Sequence, residues 1–181
     1  MDSTTIAYLG PATSYSHQAA VKLFGKSNIK YKSYPSITKT IEAVKLGSVN
    51  YGVVPYQNSI KGIIEETTEA MKKSNIVKIR DIEIEIQHHF LSFNTLGKIK
   101  KVYCKEEVFQ DCSTWIQNNI PDAKLIPISS PVEGVIQMKK DLSYTSGVIS
   151  SSLSGLLLEI PVTAYQIQNQ KNNKTRFIVI T

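Results

Sequence analysis

Three polar stretches of the sequence could bind an anion: GPATSYS at 10–16, PYQNSIKG at 55–62 and SSPVEG at 129–134. Each follows a short apolar run and precedes a helical pattern. In α/β proteins, ligands bind beyond the carboxyl ends of strands, where backbone N–H groups at a helix start favour negative charge. The alternative is an ordinary helix cap, because serine and threonine are preferred at that position in any protein.

The composition narrows the classes of function. The 181 residues carry a net charge of +6, with 41% hydrophobic and 20% charged residues, which is typical of a globular protein with a buried core. The lysines are scattered and do not alternate with aromatic residues, so we expect a small anionic ligand and no nucleic acid. No apolar run approaches the ~20 residues of a membrane helix. The N-terminus lacks the basic region of a signal peptide, so we expect a cytoplasmic protein without a membrane partner.

Cysteine and histidine are too sparse to indicate a metal site. Cys104 and Cys112 form no CxxC motif, and we expect both to be reduced. His17, His88 and His89 belong to no HExxH or Cys/His cluster. His88 lies on an alternating apolar pattern, which favours a hydrogen-bonded core residue over a catalyst.

Hydrophobic periodicity predicts alternating strands and helices, and therefore an α/β fold with mostly parallel sheets. We expect a strand that ends at Pro55, a helix over 62–73 and one unbroken helix over 106–119. Ser14 or Ser16, Ser36 and Ser130 are the expected helix caps. The pattern begins again near residue 95, which indicates two lobes joined by long strands.

Four segments resemble, in this order and spacing, the catalytic domain of prephenate dehydratases. They are GPATSYSHQAA, YGVVPYQNSIKGIIEETTEAM, EIEIQHHFL and NNKTRF. The resemblance runs from about Ile6 to Ile180. Its most specific part is the triplet Thr175-Arg176-Phe177, followed by the VVP-x-x-NS loop.

The resemblance implies a fold and a reaction. The fold is two α/β lobes with a cleft, like the type II periplasmic-binding proteins, with lobe one at about 1–84 plus 166–181 and lobe two at about 85–165. The reaction converts prephenate to phenylpyruvate, water and CO₂ in phenylalanine biosynthesis, without cofactor or metal. Bacterial members usually carry a C-terminal ACT domain that binds phenylalanine. We expect this chain to be the catalytic domain alone, and the family leaves open whether it forms a homodimer.

The resemblance also implies roles for individual residues. Arg176, one of two arginines in the chain, would hold one prephenate carboxylate through two parallel hydrogen bonds, which lysine cannot form. The alternative is an exposed strand residue in a surface ion pair. Thr175 would be the catalytic hydrogen-bond donor to the departing C4 hydroxyl. The other expected substrate-binding residues are Asn58 and Ser59 for the ring or a carboxylate, Thr13 and Ser14 for the second carboxylate, and Phe177, Gln57, Cys104 and Asp111.

Two departures from the family pattern lie in the first half of the chain. Thr13 occupies a position where the family has glycine, so a β-carbon replaces free backbone angles. Gln57 replaces a glutamate, which removes one negative charge next to a dianionic substrate.

Further departures in the second half leave alternative functions open. Cys104-Lys105-Glu106 stands where the family more often has Ser-His-Pro, and Asp111 replaces glutamine. A carboxylate near a dianion is unfavourable unless Lys105 offsets it. The alternatives are a non-aromatising prephenate decarboxylase and a non-catalytic module that binds a small anion, and arogenate is an alternative substrate to prephenate.

Overall fold

The computed structural model describes residues 3–25, 27–141 and 143–181, which divide into two compact units. The first unit comprises the chain up to Ile86 together with Asn172–Thr181, and the second comprises Gln87–Lys171. The second unit is therefore one continuous segment, and the C-terminal segment belongs to the first unit.

Strands and helices alternate along the chain. The first unit begins with β1 (Thr4–Leu9), α1 (Tyr15–Phe24), β2 (Ile29–Tyr34), α2 (Ile37–Lys45), β3 (Tyr51–Asn58), β4 (Gly62–Ile63), α3 (Glu65–Lys72) and β5 (Lys78–Glu85). The second unit has β6 (His89–Ser92), a short 3₁₀ helix (Leu96–Lys98), β7 (Lys101–Cys104), α4 (Glu106–Asp111), α5 (Ser113–Asn119), β8 (Lys124–Pro127), α6 (Pro131–Lys140), β9 (Ser146–Ser150), α7 (Ser152–Leu158) and β10 (Val162–Ala164). The last strand, β11 (Lys174–Ile180), returns to the first unit.

The sheet of the first unit is mixed. Its strand order is β2-β1-β3-β11-β5, with β4 paired to β3. β1 is parallel to β2 and β3, whereas β11 is antiparallel to both β3 and β5. The expectation of mostly parallel sheets was therefore wrong, because the C-terminal strand enters the centre of the sheet from the opposite direction.

The sheet of the second unit follows the same plan. Its strand order is β10-β6-β9-β7-β8. β7 is parallel to β8 and β9, and β6 is antiparallel to β9 and β10. Each unit thus has a group of parallel strands whose carboxyl ends share one edge, which is where α/β folds bind ligands.

Helix caps follow the sequence closely. Ser14, Ser36, Ser130 and Ser151 each accept a hydrogen bond from the backbone N–H three residues later. Each bond satisfies one of the amide donors that a helix start leaves unpaired. Pro131 occupies the first turn of α6, where its missing N–H costs nothing.

Three predicted boundaries were wrong for local reasons. β3 continues past Pro55 to Asn58, because a register shift opposite Arg176 and Phe177 accommodates the proline. The helix predicted from residue 62 starts at Glu65, because Gly62 pairs back with Asn58. The helix predicted over 106–119 breaks at Cys112, which has a non-helical backbone.

Both faces of the first sheet are covered by apolar side chains. On the α1 face, the cluster comprises Ile6, Tyr8, Ala19, Ala20, Val53, Ile84, Phe177 and Val179. On the other face, α2 and α3 pack on a cluster that includes Ala7, Ile41, Val54, Ile178 and Ile180. The alternation of Phe177 and Ile178 between the two faces shows that β11 is buried on both sides, as a central strand must be.

Gly147 in β9 is the tightest glycine contact in the second unit. A β-carbon there would lie 2.1 Å from the Cζ of Phe90, a ring that is fully buried. Forcing extra atoms into such a core costs about 1–3 kcal/mol. We therefore expect Gly147→Ala to lower Tm by about 2–12 °C, measured by calorimetry.

Gly97→Ala is the matched control, because a β-carbon at Gly97 meets no atom within 4 Å. Its Tm should stay within about 2 °C of the parent protein. An unchanged Tm for Gly147→Ala would mean that the Phe90 ring has room to move and that this core is not rigid.

Candidate active site

The parallel strands of the first sheet end at a common edge, and β11 starts there. β1 and β3 run in one direction, and β11 runs against β3 with Thr175 opposite Asn58. The first loop (residues 10–14), the loop after β3 and the start of β11 are consequently at the same edge. Most of the residues predicted to bind substrate in the first half of the chain are therefore brought to one edge of the sheet.

Asn58 and Thr175 form the central contact of this edge. The Nδ2 of Asn58 donates a hydrogen bond to Thr175 Oγ1 at 2.9 Å. The Thr175 side chain is buried, with 7% of the residue surface exposed. Because Asn58 is the donor in this bond, the hydroxyl proton of Thr175 is available for a second bond. The pair thus orients Thr175 as a hydrogen-bond donor.

The orientation of the Asn58 amide is fixed by its other bonds. Its Oδ1 accepts from the backbone N–H groups of Ile60 and Lys61, both at 2.9 Å. Its Nδ2 also lies 2.6 Å from the Oδ1 of Asn173. Because two backbone N–H groups donate to Oδ1, a flipped amide would lose both bonds and place its NH₂ group against these donors. The Nδ2 of Asn58 therefore points towards Thr175.

Ser59 links the same two segments through its hydroxyl and backbone. Its Oγ donates to the carbonyl of Asn172 at 3.2 Å and accepts from the N–H of Lys174 at 2.9 Å. Its own N–H donates to the Lys174 carbonyl at 2.8 Å. Ser59 therefore holds the segment before Thr175 in place.

Arg176 lies on the opposite face of β11 from Thr175. Its cross-strand neighbours are Gln57 and Glu83, and its guanidinium donates to Glu83 Oε1 at 3.4 Å. The Arg176 side chain is 43% exposed, and Gln57 is also exposed. Arg176 therefore lies in a surface ion pair, which the sequence analysis gave as the alternative to binding a prephenate carboxylate.

Phe177 has a structural position that corrects an expectation. Only 2% of its surface is exposed, and it packs in the cluster beneath α1. Successive side chains of a strand point to opposite faces, so Phe177 shares the face of Thr175 but lies one step deeper in the core. We therefore remove Phe177 from the expected substrate contacts.

The first loop holds Thr13 in a left-handed conformation. Thr13 has φ of 77° and is 5% exposed, and its Oγ1 is buried without a hydrogen-bond partner. Ser14 is fully used as the cap of α1, because it accepts from the N–H of His17 and donates to the carbonyl of Leu9 at 2.8 Å. Of the two hydroxyls expected to bind a carboxylate, the one without an internal partner is that of Thr13.

His17 packs at the start of α1 and contacts this loop through a bond that the sequence did not predict. Its Nδ1 accepts a hydrogen bond from the N–H of Thr13 at 3.1 Å. Its ring stacks on Tyr8 with centroids 4.7 Å apart and an interplanar angle of 16°. A histidine four residues after a threonine is too common a spacing to reveal this bond.

In the second unit, Cys104 lies in the core rather than on a ligand surface. It is fully buried, and burial raises the pKa of its thiol well above the usual range. Burial likewise raises the pKa of Cys112 to about 12. Both thiols are protonated at neutral pH, and the core position of Cys104 argues against the predicted contact of its side chain with substrate.

Asp111 is paired with His88. The Oδ2 of Asp111 lies 3.7 Å from the Nε2 of His88. His88 is buried, with 8% of the residue surface exposed, whereas 41% of the Asp111 side chain is exposed. Burial lowers the pKa of His88, and the Asp111 carboxylate partly opposes that effect. His88 also receives support through its backbone N–H, which donates to Gln168 at 3.0 Å. The burial of His88 matches the core position that the sequence favoured, and its ring faces Asp111 at ion-pair distance.

A pocket of about 500 Å³ lies at the carboxyl ends of β7 and β8. Ser129 and Glu133 of SSPVEG, one of the three proposed anion loops, line this pocket, and their side chains are bonded to each other. Glu133 accepts from the Ser129 N–H at 2.8 Å and from its Oγ at 2.7 Å, which lowers the pKa of Glu133. An anionic Glu133 in this position makes anion binding by this loop unfavourable. The other lining residues are Lys105, Glu106, Glu107, Pro127 and Ile128.

Comparison with known proteins decides the family. The model of the prephenate dehydratase family matches residues 6–181, almost the whole chain. The chain belongs to the prephenate dehydratase family. A bifunctional chorismate mutase/prephenate dehydratase from Stutzerimonas stutzeri is 30% identical over 177 residues, and one from Aquifex aeolicus is 30% identical over 176 residues. Each match covers 97% of this chain and 48% of the relative, so the chain spans about half the length of these enzymes.

Solved structures share the fold. The prephenate dehydratase of Arthrobacter aurescens, in complex with L-Phe, has a TM-score of 0.85 at 21% identity over 98% of this chain and 60% of its own. That of Staphylococcus aureus has a TM-score of 0.83 at 23% identity over 98% and 66%. A putative methionine-binding lipoprotein of Bacillus subtilis has a TM-score of 0.50 at 10% identity over 99% and 83%. The chain thus has the two-unit α/β fold of prephenate dehydratases, which is like that of type II periplasmic-binding proteins.

Within residues 3–25, 27–141 and 143–181, no group of three or more His, Cys, Asp or Glu side chains is arranged to hold a metal ion. No helix in these ranges has the length and apolar character that a bilayer span requires.

Thr13 should destabilise the fold through its backbone. A β-branched residue at φ of 77° is strained by about 1–2 kcal/mol, and its buried hydroxyl has no partner. Glycine has no β-carbon and tolerates this angle. We expect Thr13→Gly to raise Tm by roughly 2–4 °C in calorimetry.

Thr13→Ser is the matched control for this prediction, because it keeps the hydroxyl and removes one methyl group. Its Tm should lie between those of the parent protein and Thr13→Gly. A lower Tm for Thr13→Gly would show that packing of the threonine methyl group outweighs the backbone strain.

Proposed function

We propose that the protein is a prephenate dehydratase that converts prephenate to phenylpyruvate, water and CO₂ in phenylalanine biosynthesis. The observation that carries the proposal is the Asn58–Thr175 hydrogen bond, which leaves the buried Thr175 hydroxyl able to donate. Family membership over residues 6–181 supports the same reaction.

The reaction needs little chemical assistance. As the ring carboxylate leaves as CO₂, the electron pair of the broken C–C bond enters the ring and expels the C4 hydroxyl. The aromatic ring that forms drives the step. Hydroxide is a poor leaving group, so a hydrogen bond to the departing oxygen lowers the barrier, and a proton must reach it to form water. General acids and oriented donors of this kind contribute about 10²–10⁴-fold.

Thr175 fits the role of that donor. A threonine hydroxyl is too weak an acid to release its proton outright, but a donor fixed in a buried position stabilises developing negative charge without reorganisation. Asn58 provides the fixation, since it occupies the acceptor side of Oγ1 from 2.9 Å. Asn58 is thus proposed to orient Thr175 in addition to its expected contact with the substrate.

The first loop is the proposed site for one carboxylate. Thr13 Oγ1 is a buried donor without an internal partner, and a ligand oxygen would satisfy it. The loop opens into α1, a helix of ten residues whose N-terminal end favours negative charge. Ser14 supports the helix start as its cap, so its contribution to the substrate is through the position of α1.

Arg176 remains the proposed anchor for the second carboxylate. Its contact with Glu83 is long, at 3.4 Å, and involves one nitrogen of the guanidinium. Arg176 is the third residue of β11 and lies near the end of the sheet, so a ligand that extends around this edge reaches the guanidinium on the face opposite Thr175. Gln57, its cross-strand neighbour, adds a neutral amide on that face.

Incubation of the purified protein with prephenate tests the proposal. Formation of phenylpyruvate, detected by its absorbance in base, together with release of CO₂ supports dehydration. Loss of prephenate with CO₂ release but no aromatic product would instead identify a non-aromatising decarboxylase. Binding of prephenate without turnover would identify a binding module.

Removal of the Thr175 hydroxyl should mainly lower turnover. We expect Thr175→Ala to reduce kcat by at least about 10²-fold with little change in KM, because the lost interaction is made in the transition state. Thr175→Ser keeps a hydroxyl and should retain kcat within about tenfold of the parent. Normal turnover by Thr175→Ala would remove Thr175 from the mechanism and leave the family assignment intact.

Replacement of Arg176 should mainly affect binding. We expect Arg176→Lys to raise KM about tenfold with kcat within about threefold, because lysine cannot form the bidentate pair. Arg80→Lys is the matched control, since Arg80 is the other arginine of the chain and lies exposed on β5. If KM is the same for both variants, Arg176 acts in a surface ion pair with Glu83 and does not bind substrate.

A further inference from the structure

His17 occupies an unusual position for a helix residue, because its ring is held between two strands and the first loop. It stacks on Tyr8 of β1 and meets Tyr31 of β2 edge-on, with ring centroids 5.7 Å apart and an interplanar angle of 68°. These two contacts fix the plane of the imidazole. Its Nδ1 is consequently aimed at the N–H of Thr13, 3.1 Å away.

The bond from Thr13 specifies the protonation state of His17. An imidazole nitrogen that accepts a hydrogen bond carries no proton, so the neutral ring must bear its proton on Nε2. Protonation of Nδ1 would place two N–H groups against each other and break the bond. His17 can therefore hold Thr13 only while it is neutral.

Thr13 is the residue of the first loop that most needs such support. Its φ of 77° is unfavourable for a β-branched residue, and its buried hydroxyl has no partner within the loop. An amide held by His17 keeps the residue in this conformation. The same conformation holds the buried hydroxyl that we propose as the partner of a substrate carboxylate.

We propose that His17 is a positioning residue that fixes the first loop for substrate binding while neutral and releases Thr13 when protonated. This inference rests on the proposed function, because the loop is the proposed carboxylate site. Protonation of His17 would weaken substrate binding at acidic pH, although His17 does not contact the reacting atoms.

The groups around His17 support a simple titration. The ionisable rings that contact it are Tyr8 and Tyr31, and burial raises the pKa of both, so both are neutral over the relevant range. Burial also lowers the pKa of His17 below its ordinary value of 6.5. The neutral, Thr13-bound form therefore prevails at neutral pH, and the bond is lost as the pH falls through the lowered pKa.

Two variants distinguish the effect of the hydrogen-bond acceptor at residue 17 from the effect of its protonation. In His17→Asn, the amide oxygen can take the place of Nδ1 as acceptor but cannot be protonated in this range. In His17→Phe, the ring stack is kept and the acceptor is lost. The parent kcat/KM for prephenate should fall as the pH drops from about 7.5 to about 5.

We expect His17→Asn to keep kcat/KM within about threefold of the parent at about pH 7.5 and to lose this component of the acid-side fall. His17→Phe should lose at least about tenfold in kcat/KM at every pH, chiefly through KM. The proposal is wrong if His17→Phe binds prephenate like the parent, or if His17→Asn keeps the full acid-side fall.

Nitrogen NMR of the histidine rings provides a readout that does not depend on turnover. The His17 resonances, assigned by their loss in His17→Asn, should show an unprotonated Nδ1 and a protonated Nε2 at neutral pH. The Thr13 amide should shift with the same midpoint as His17 in the parent and not in His17→Asn. The opposite tautomer, or a Thr13 amide that ignores His17, would overturn the inference even if the protein is an active dehydratase.

Discussion

The pairing of β11 with β3 is the interaction on which the rest of the site depends. It joins residues more than a hundred positions apart and aligns Thr175 with Asn58. The backbone ladder sets the register, and the Asn58 side chain uses that register to orient a hydroxyl. A shift of one residue would turn Thr175 to the exposed face and Arg176 into the core, since side chains alternate along a strand. The chemistry of the site is therefore specified by strand register as much as by residue identity.

Local elements were largely readable from the sequence, because their causes are local. The serine caps and Pro131 follow from helix-end chemistry, and most strands follow from hydrophobic periodicity. The path of β11 was not readable in this way. Its apolar residues predict a strand, but the sequence RFIVI does not indicate that this strand pairs with both β3 and β5 and runs antiparallel to them. That choice is made by packing on both faces, which no single segment encodes.

The residues of the site likewise divide into those that the sequence identified and those whose positions depend on tertiary contacts. The triplet at Thr175 and the loop at Asn58 were identified together through the family resemblance, and the structure pairs them. The period of two in a strand predicts that Phe177 and Arg176 lie on opposite faces of the sheet, because adjacent residues cannot share a face. The core position of Cys104 and the His17–Thr13 bond arise from tertiary contacts. Residue types alone gave no signal for either of them.

One connection in the fold makes the second unit a topological insertion into the first. The chain leaves the first unit after β5 and re-enters it before β11, and these two strands are antiparallel neighbours with the Ile86 N–H bonded to the Asn173 carbonyl at 2.7 Å. Topologically, Gln87–Lys171 occupy the place of a hairpin turn. All strand pairings of the first sheet are made by residues outside this segment, and additional chain is best tolerated at such a loop tip. A short Asn-Gly turn in its place would complete the first sheet without altering any of its strand pairings.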